Sequence, residues 1–593
     1  MATPRDLGLR ATLKALPLFA QISDAVREPL LSEAFIRRVA ADEWLFRQGE
    51  PGDALYVISS GRFEVVREEP APAAVLRQLG AGAAIGELAL LTGAPRSATV
   101  HALRDSELVV VRREEMLRLL HESQPFAIAL TQALGRLLQA SEPPPRRPLL
   151  PRVLAVVPLQ PPAPVGPFCH AFLDATKGWA RVAVIRRGDV PGSDDPEHFA
   201  GHGRLLDERE RAHDHVLLVG GQEQGDAAWN AYCVRQADRV VGLTLPCAPP
   251  GPGGPSTVLH GCDLVLWGPY SDTARVVGAW LDLLQPRRHH FVEPGLRVAE
   301  TAGRTARRLT GRSLGIVLSG GGAGGLAHLG VLQTLSDGGV PIDRVGGCSF
   351  GAFVGGLFAM GRSPEHINAI CHAELVARNP FNDYWLPRRA LLRGKKGERA
   401  LTRIFAGARI EELPRDYFCV AADLLTDELV VRRRHAIADA VLASMSVPGI
   451  GPPIPYEGRL LVDGGVLNNL PVDVMADRHE GPIIAVDVMR RRLRPGEDAP
   501  LAGGQPRTRR RARPGPRLLG IHETLMRATV LGSWGVSVRN RARAQLVITP
   551  DVRGIGFFDF RRLEQVVDAG RRAAEEVLDD ARALAAGRYA PPP

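Results

Sequence analysis

The sequence predicts a multidomain chain: an N-terminal β-roll with helices, a middle α/β domain, a C-terminal α/β domain and a helical tail. At 593 residues the chain is too long for one hydrophobic core, which indicates about three or four domains. The apolar pattern also changes along the chain, from short alternating strands to strands that alternate with helical stretches. Irregular stretches at 141–151 and 490–516, rich in proline or arginine, interrupt these patterns.

The first domain is expected at residues 18–140. The stretch "EWLFRQGEPGDALYVISSGRFEVVRE" alternates apolar and polar residues between glycine turns, which is typical of a β-barrel or β-roll. A helix at about 113–138 is expected to close it.

The remaining domains follow from strand and helix alternation. Residues 151–290 contain apolar strands separated by helical stretches, which predicts an α/β domain with a parallel sheet and a long loop at 247–256. The same alternation returns at 314–488 and predicts the third domain. Residues 518–588 are expected to form a mostly helical C-terminal extension.

Composition narrows the functional classes. Seven scattered cysteines without a C-x-x-C pair predict neither a metal site nor a disulfide framework, and they favour a cytoplasmic location. No run of 18 apolar residues occurs, so contact with a membrane would be peripheral, at its inner face. The net charge of +9 suits anionic headgroups, whereas the 5% of aromatic residues argues against nucleic acid as a partner.

The stretch "AIGELALLTGAPRSATV" at 84–100 has the residues that a cyclic nucleotide needs. Backbone N–H groups at the start of a short helical turn can hold the cyclic phosphate, an arginine can pair with its charge, and a carboxylate can accept from the ribose. The candidate nucleotide-binding residues are Gly86, Glu87, Leu88, Arg96 and Ser97. Roughly residues 18–138 resemble the cyclic-nucleotide-binding domain family, which implies cAMP or cGMP as a regulator. The alternative is that Glu87 and Arg96 only pair with each other.

Two serines lie in G-x-S-x-G patterns, Ser313 and Ser349. A nucleophile elbow needs a strand before the serine and a helix after it. Ser313 follows a basic stretch and precedes a strand, so it is expected at a strand entrance. Ser349 lies between "VPIDRVGG" and the small-residue helix "AFVGGLFAMG", and it is therefore the candidate nucleophile.

The glycine cluster in "LSGGGAGGLAHLGVLQTL" lies between a predicted strand and a predicted helix. It also fits a dinucleotide fingerprint, but the acidic residue at the required spacing, Asp343, comes before its strand rather than after it. No Gly-Lys-Ser/Thr follows, which excludes a P-loop. The remaining interpretation of the glycine cluster is an oxyanion hole, in which the N–H groups of Gly321 and Gly322 are the donors.

The candidate base is Asp463, at the end of a predicted strand and before two glycines in "GRLLVDGGVLNNLPVDVM". A carboxylate within about 3 Å of a serine hydroxyl can accept its proton directly. A turn aspartate without a catalytic role is the alternative. His372, His435 and His479 lie in no recognisable catalytic setting.

The glycine loop, the G-x-S-x-G and the Asp-Gly-Gly, in this order, resemble the patatin-like phospholipase family, over about residues 314–488. The whole layout resembles its neuropathy target esterase-like branch. The resemblance implies that Ser349 is the nucleophile and Asp463 the base, without a histidine or a metal. It implies an oxyanion loop formed by Gly320, Gly321, Gly322 and Gly325. Gly324 departs from the pattern, since the family usually has Arg or Lys there.

The leading hypothesis is a serine esterase that hydrolyses fatty acyl esters of phospholipids or lysophospholipids, needs no cofactor and is regulated by a cyclic nucleotide. One alternative is a nucleotide-responsive scaffold whose hydrolase domain is impaired by the change at Gly324. The other is a dinucleotide-dependent enzyme that uses the glycine loop, which would leave Ser349 and Asp463 without a role.

Overall fold

The computed structural model describes most of the chain in nine stretches. The described residues are 34–68, 74–86, 93–122, 151–190, 200–223, 225–245, 259–384, 390–489 and 531–588, with positions 124, 127 and 128. The loops expected at 247–256 and 490–516 lie outside them. The chain divides into two compact units, Met1–Gly268 with Trp280–Ala302 and Pro269–Ala279 with Gly303–Pro593.

The first domain is the predicted β-roll, built from two four-stranded antiparallel sheets in the orders β1-β8-β3-β6 and β2-β7-β4-β5. Alternating side chains of both sheets meet in a core around Phe63, Val100 and Leu108, which explains the alternating pattern. The elements are β1 Phe35–Val39, β2 Trp44–Phe46, β3 Ala54–Ser60, β4 Arg62–Arg67, β5 Ala74–Gly80, β6 Ala84–Ile85, β7 Thr99–Ala102, β8 Ser106–Arg112 and α1 Arg113–Glu122.

The middle domain has a six-stranded sheet in the order β10-β11-β9-β12-β13-β14. All its strand pairs are parallel, which confirms the predicted parallel sheet. The sequence pattern did not predict the last strand, because "RHHFV" contains three basic residues. The elements are β9 Val153–Pro158, α2 Val165–Thr176, β10 Val182–Ile185, α3 Ala200–Ala212, β11 His215–Val219, α4 Ala227–Gln236, β12 Arg239–Thr244, β13 Asp263–Trp267, α5 Tyr270–Leu284, β14 Arg288–Val292 and α6 Val298–Leu309.

Ion pairs join the β-roll to the middle domain. Arg104, which is 1% exposed, donates to Glu210 at 2.8 Å and also bonds to Asp238. Arg62 pairs with the same two carboxylates, at 2.9 Å and 3.2 Å. Because each carboxylate is shared by two arginines with little access to water, these pairs fix how the two domains meet.

The third domain has a mainly parallel sheet of eight strands, in the order β19-β20-β17-β16-β15-β21-β22, with β18 beside β17; its edge strand β22, Leu546–Ile548, comes from the C-terminal extension. Its elements up to residue 488 are β15 Leu314–Leu318, α7 Ala327–Asp337, β16 Ile342–Cys348, α8 Phe350–Ala359, α9 Pro364–Cys371, α10 Lys395–Phe405, β17 Asp416–Asp423, β18 Leu429–Arg432, α11 Ile437–Ser444, β19 Ile454–Tyr456, β20 Arg459–Asp463, α12 Val472–Ala476 and β21 Ile483–Val486.

The described part of the C-terminal extension packs into the third domain. Besides helices it contains the strand β22, which pairs in parallel with β21 at the sheet edge. Its elements are α13 Trp534–Arg543, β22 Leu546–Ile548, α14 Leu563–Glu575 and α15 Leu578–Ala585. Helix α14 lies so close to α7 that a Cβ on Gly330 would be 2.0 Å from the carbonyl oxygen of Val567.

Two central strands of this sheet position the candidate site. The parallel strands β15 and β16 both end at the same edge, where the glycine loop follows β15 and Ser349 follows β16. The antiparallel strand β20 ends next to β17, with Asp463 paired to Ala421. The neighbouring pair Cys348 and Val420 lies one residue away on β17, so the three segments meet at one place.

Candidate active site

Ser349 lies at a sharp turn between β16 and α8, as predicted. Its φ of 51° is left-handed, which is unusual for a side chain other than glycine and often marks a functional position. The flanking glycines are required by space: a Cβ on Gly347 would be 2.6 Å from the Gly351 backbone, and one on Gly351 would be 2.3 Å from the Leu318 carbonyl oxygen. The Ser349 N–H donates to the hydroxyl of Ser444 at 2.9 Å, which fixes the turn.

The structure brings Ser349 and Asp463 together, and the Ser349 hydroxyl is close enough to the Asp463 carboxylate to lower the pKa of that carboxyl. Asp463 is 3% exposed. Burial raises the pKa of its carboxyl to about 6, against the lowering effects of the Ser349 hydroxyl, the Gly465 N–H and the Cys348 thiol. A carboxylate with such a pKa is ionised at neutral pH and is still a better proton acceptor than an exposed aspartate.

Cys348 lies directly before Ser349 and contacts the same carboxylate. Its Sγ lies 3.6 Å from Oδ1 of Asp463, which also accepts from the Gly465 N–H at 2.8 Å. Burial raises the pKa of the Cys348 thiol, and so does the charge of Asp463, so the thiol stays protonated and donates. Together the two donors hold Asp463 in place beside Ser349.

The glycine loop passes next to Ser349. A Cβ on Gly320 would be 3.0 Å from the Cβ of Ser349, and one on Gly325 would be 2.6 Å from the Phe350 ring. The Gly320 N–H donates to Asn469. Within the described ranges, no acceptor is found for the N–H groups of Gly321 and Gly322.

Three contacts hold this loop in place. Asn469 bonds to both sides of Gly320: its carbonyl accepts from the Gly320 N–H, and its Nδ2 donates to the Gly320 carbonyl, both at 3.3 Å. The buried His328 has Nε2 at 2.9 Å from the Ser319 carbonyl, and burial lowers its pKa to about 4, so the ring is neutral. The carbonyl of Phe557 accepts from the Ala323 N–H at 2.8 Å.

An apolar cavity of about 140 Å³ lies beside Ser349. Its walls come mainly from α10, from the segments 375–383, 392–394 and 445–454, and from the segment after β22. Phe381 stacks on Phe560 with ring centroids 5.1 Å apart, and Phe557 meets Phe558 edge to face at 4.8 Å. Such a wall suits a hydrocarbon chain better than a polar substrate.

Other residues considered from the sequence are placed elsewhere. Ser313 is fully buried one residue before β15, where its hydroxyl donates to the Glu480 carbonyl at 2.8 Å. Asp343 is the second residue of β16 rather than a residue before it, and it pairs with Arg307 at 2.7 Å. A Cβ on Gly324 would meet Val552 at 3.4 Å, an ordinary contact, so space does not explain this glycine.

The three histidines that the sequence sets aside are all exposed: His372, His435 and His479. Nδ1 of His435 lies 3.4 Å from a guanidinium nitrogen of Arg409. Across the stretches that the structure describes, no three His, Cys, Asp or Glu side chains are grouped so that they could hold a metal ion.

The candidate nucleotide site in the β-roll has a different geometry. Gly86, Arg96 and Ser97 line a cavity of about 50 Å³, whereas Glu87 and Leu88 lie outside the described residues. The Arg96 guanidinium is buried and donates to the carbonyls of Gly86 and Ala54, at 3.2 Å and 3.0 Å, and to Asp53 at 3.3 Å. It also lies over the Phe46 ring, 4.2 Å from its centroid.

Several residues at the hydrolase site have no strong signal in the sequence. Cys348 and Asn469 lie inside the motifs that identify Ser349 and Asp463, so their positions were visible but their contacts were not. Phe557 comes from the C-terminal extension, and nothing in its local pattern points to the glycine loop. In the ranges described, no helix is both long and apolar enough to span a membrane.

Two family models match the chain. The patatin-like phospholipase model matches residues 316–476, which contain the glycine loop, Ser349 and Asp463. The cyclic nucleotide-binding domain model matches residues 36–123, the β-roll. The segment that provides Phe557 lies beyond the phospholipase match.

The similarity extends to whole proteins. An uncharacterised NTE family protein of Mycobacterium tuberculosis is 35% identical over 582 residues, which cover 97% of each chain. The human patatin-like phospholipase domain-containing protein 6 is 29% identical over 522 residues, 76% of this chain and 37% of the human protein. Lysophospholipase NTE1 of Coccidioides immitis is 26% identical over 643 residues, 91% of this chain and 40% of the fungal protein.

Proposed function

We propose, from the premise that the chain belongs to the NTE family and is a lipid ester hydrolase, that it releases fatty acids from lysophospholipids or phospholipids by means of Ser349 and Asp463. The observation that carries the proposal is that the Ser349 hydroxyl lies beside the buried carboxylate of Asp463 and at the wall of an apolar cavity. A hydroxyl, a carboxylate and a hydrocarbon pocket are together what acyl-ester cleavage requires.

The reaction begins when Oγ of Ser349 attacks the acyl carbonyl carbon and its proton passes to the Asp463 carboxylate. The carbonyl oxygen becomes an oxyanion, and the N–H groups of Gly321 and Gly322 donate to it. Because these donors have no acceptor among the described residues, they lose no bond when they turn to the oxyanion.

The intermediate then collapses. The carbon–oxygen bond to the glycerol oxygen breaks, and this oxygen takes the proton from Asp463, which leaves an acyl-enzyme on Ser349. Water attacks the acyl carbonyl while Asp463 accepts a proton from it. The bond between the acyl carbon and Oγ of Ser349 then breaks, Oγ takes the proton back from Asp463, and the fatty acid leaves. Asp463 therefore acts as base and then as acid in each half of the reaction, for which a pKa of about 6 is well placed.

The test is hydrolysis of lysophosphatidylcholine and of a short-chain nitrophenyl ester by the full chain. We expect Ser349→Ala to lower kcat by about 1,000-fold or more on both esters, because no nucleophile remains. Ser313→Ala is the matched control, since Ser313 shares the G-x-S-x-G pattern but bonds to Glu480. Equal activity of the wild type and Ser349→Ala would contradict the esterase and favour a catalytically impaired scaffold.

A cyclic nucleotide is the proposed regulator, and the cavity lined by Gly86, Arg96 and Ser97 is its proposed site. The supporting observation is that this cavity lies within the stretch matched by the cyclic nucleotide-binding domain model. A phosphate there would take Arg96 from the carbonyls of Gly86 and Ala54, so binding would rearrange the β-roll.

Calorimetric titration with cAMP and with cGMP tests this site, and AMP serves as the matched non-cyclic control. We expect heat from one cyclic nucleotide and a change in lysophospholipid hydrolysis in its presence. If neither cyclic nucleotide gives a heat of binding at millimolar concentration, the proposed site is rejected and the β-roll has a structural role.

A further inference from the structure

The apolar pocket beside Ser349 opens to solvent at the start of α10. Of the described residues that line it, Arg393 and Glu398 are the exposed ones. The buried side chains of Ala400 and Leu401, one turn further along the same helix, line the pocket from inside. The first turn of α10 therefore forms the rim of the opening, and its inner face forms part of the wall.

This rim is strongly cationic. Arg393, Lys395, Lys396 and Arg399 are all exposed there, and Glu398 is the exposed carboxylate among them. Two of the four lysines of the chain, Lys395 and Lys396, lie at this one place. Lys395 and Arg399 are four residues apart on the helix, so their side chains project from the same face.

Lys395 and Lys396 are unfavourable for the stability of α10. They occupy the first turn of α10, where the helix dipole disfavours positive charge, and the N-cap is a glycine without a capping side chain. The backbone N–H of Lys396 is instead capped by the Asp383 carboxylate, at 3.1 Å. Exposed residues that destabilise the helix in which they lie are expected to have a function.

An exposed aromatic ring lies close to the same rim. Tyr384 is 62% exposed and its backbone is bridged to Leu392, which lines the pocket. Tyrosine next to cations is typical of surfaces that meet a lipid–water interface, because the ring is apolar and its hydroxyl is polar.

We propose that residues 393–399 and Tyr384 form a docking surface for an anionic lipid bilayer, which sets the opening of the pocket against the lipid. The cations complement anionic headgroups, and each cation near such a surface contributes to binding. The proposal rests on the function proposed above, since a docked opening lets an acyl chain pass from bilayer to pocket without crossing water.

The test measures binding to vesicles in the Ser349→Ala background, so that no substrate is consumed. Sedimentation with phosphatidylcholine vesicles is compared with sedimentation with vesicles that also contain phosphatidylglycerol. We expect the full chain to bind the anionic vesicles, and Lys395→Gln/Arg399→Gln to reduce that binding by about 30-fold. High salt should abolish the difference, because it screens exposed charges.

Arg362→Gln/Arg572→Gln is the matched control, since both arginines are exposed and neither lines the pocket. The docking surface would be rejected if both double variants lost vesicle binding equally. It would also be rejected if neither variant lost binding. A parent that fails to bind anionic vesicles would also overturn it.

Hydrolysis of a soluble nitrophenyl ester separates this proposal from the proposed function. The rim substitutions, in the chain with Ser349 intact, should leave that hydrolysis unchanged and lower the hydrolysis of lipid in anionic vesicles. Vesicle binding that depends on the rim, in a chain without esterase activity, would retain the docking surface and reject the proposed function.

Discussion

The hydrolase site and the β-roll cavity each contain a residue with a left-handed φ at the end of a strand, but the polar groups around the two residues differ. Ser349 and Gly86 both have a left-handed φ, 51° and 87°, at the end of a strand. At Ser349 the hydroxyl lies beside a buried carboxylate and an apolar cavity, and the N–H groups of Gly321 and Gly322 have no acceptor among the described residues. In the β-roll, the guanidinium of Arg96 already donates to two carbonyls and a carboxylate.

This difference separates a site that is ready for its ligand from one that must first rearrange. Donors without an acceptor can stabilise a new charge without losing other bonds. A buried arginine that is already hydrogen-bonded must exchange those bonds for bonds to phosphate, which reduces the net gain. We therefore expect substitutions in the hydrolase site to affect catalysis, and substitutions in the β-roll to affect stability first.

The largest effect is expected for Asp463→Asn, which keeps the shape of the side chain but removes the base. Hydrolysis of lysophosphatidylcholine should fall by about 1,000-fold or more, measured as kcat at pH 8. Stability should change in the opposite direction. Because burial raises the folded-state pKa of Asp463 to about 6, its ionisation destabilises the fold as pH rises from about 4 through 6.

The amide is neutral, so Asp463→Asn should raise the free energy of unfolding at pH 8 by roughly 1–3 kcal/mol. Urea unfolding at pH 8 and at pH 4 measures this, and the difference between the two proteins should be small at pH 4. A variant that is less stable than the wild type at pH 8 would contradict the description of Asp463 as a carboxylate whose burial raises its pKa.

The next effect is expected for Asn469→Ala, which removes the Nδ2 donor to the Gly320 carbonyl and leaves the backbone bond to the Gly320 N–H. The glycine loop should then be less well positioned, and kcat should fall by about 10- to 100-fold while KM changes little. Steady-state kinetics on a soluble ester measures both constants.

Asn468→Ala is a useful comparison for that experiment, because the neighbouring Asn468 bonds to Asp473 and Asn540 rather than to the loop. A similar fall in kcat for both variants would mean that folding of the 463–473 segment, and not the hold on Gly320, limits activity.

A smaller effect, of another kind, is expected for Arg96→Ala in the β-roll. The change leaves the buried carbonyls of Gly86 and Ala54 without their donor and should lower the stability of the β-roll by roughly 2–4 kcal/mol. Hydrolysis of a soluble ester, without nucleotide, should change by less than about twofold. Calorimetric unfolding together with the esterase assay measures both.

Arg47→Ala is its matched control, since that arginine also lies over an aromatic ring, Trp44, at 4.8 Å. Its side chain is at the surface, so the expected loss is under about 1 kcal/mol. An unchanged stability of Arg96→Ala would contradict the structural role that its hydrogen bonds indicate.

The smallest effect is expected for Cys348→Ala. Removing the thiol removes one hydrogen bond that lowers the pKa of Asp463, so this pKa should rise. Activity requires the ionised carboxylate, so the acidic limb of the kcat/KM profile should move to higher pH, with little change at pH 8. Cys348→Ser, which keeps a donor at the same place, should restore the profile, and a limb that does not move in Cys348→Ala would contradict the contact.

Much of the fold was predictable because its signals are local. The alternation of apolar residues depends on which face of a strand or helix is buried, and it predicted the β-roll and the parallel middle sheet. The exception, β14, has basic residues where a buried strand usually has apolar ones. The turn at Ser349 was also visible in the sequence, since its motif is contiguous and Gly347 is required by the nearby Gly351 backbone, whereas Gly351 is required by Leu318 of the neighbouring strand β15.

The sequence by itself determined the order of the domains, the turn at Ser349 and the candidate residues, because strand period and the glycine–serine motif are contiguous in the sequence. Only the tertiary structure decided which of these groups meet. Asp463 reaches Ser349 because β20 ends beside β17, and Phe557 reaches the glycine loop because β22 extends the same sheet. Arg96 points into the β-roll because carbonyls of two separate segments accept its hydrogen bonds there. Contacts of this kind depend on how sheets and helices pack, and no local pattern records them.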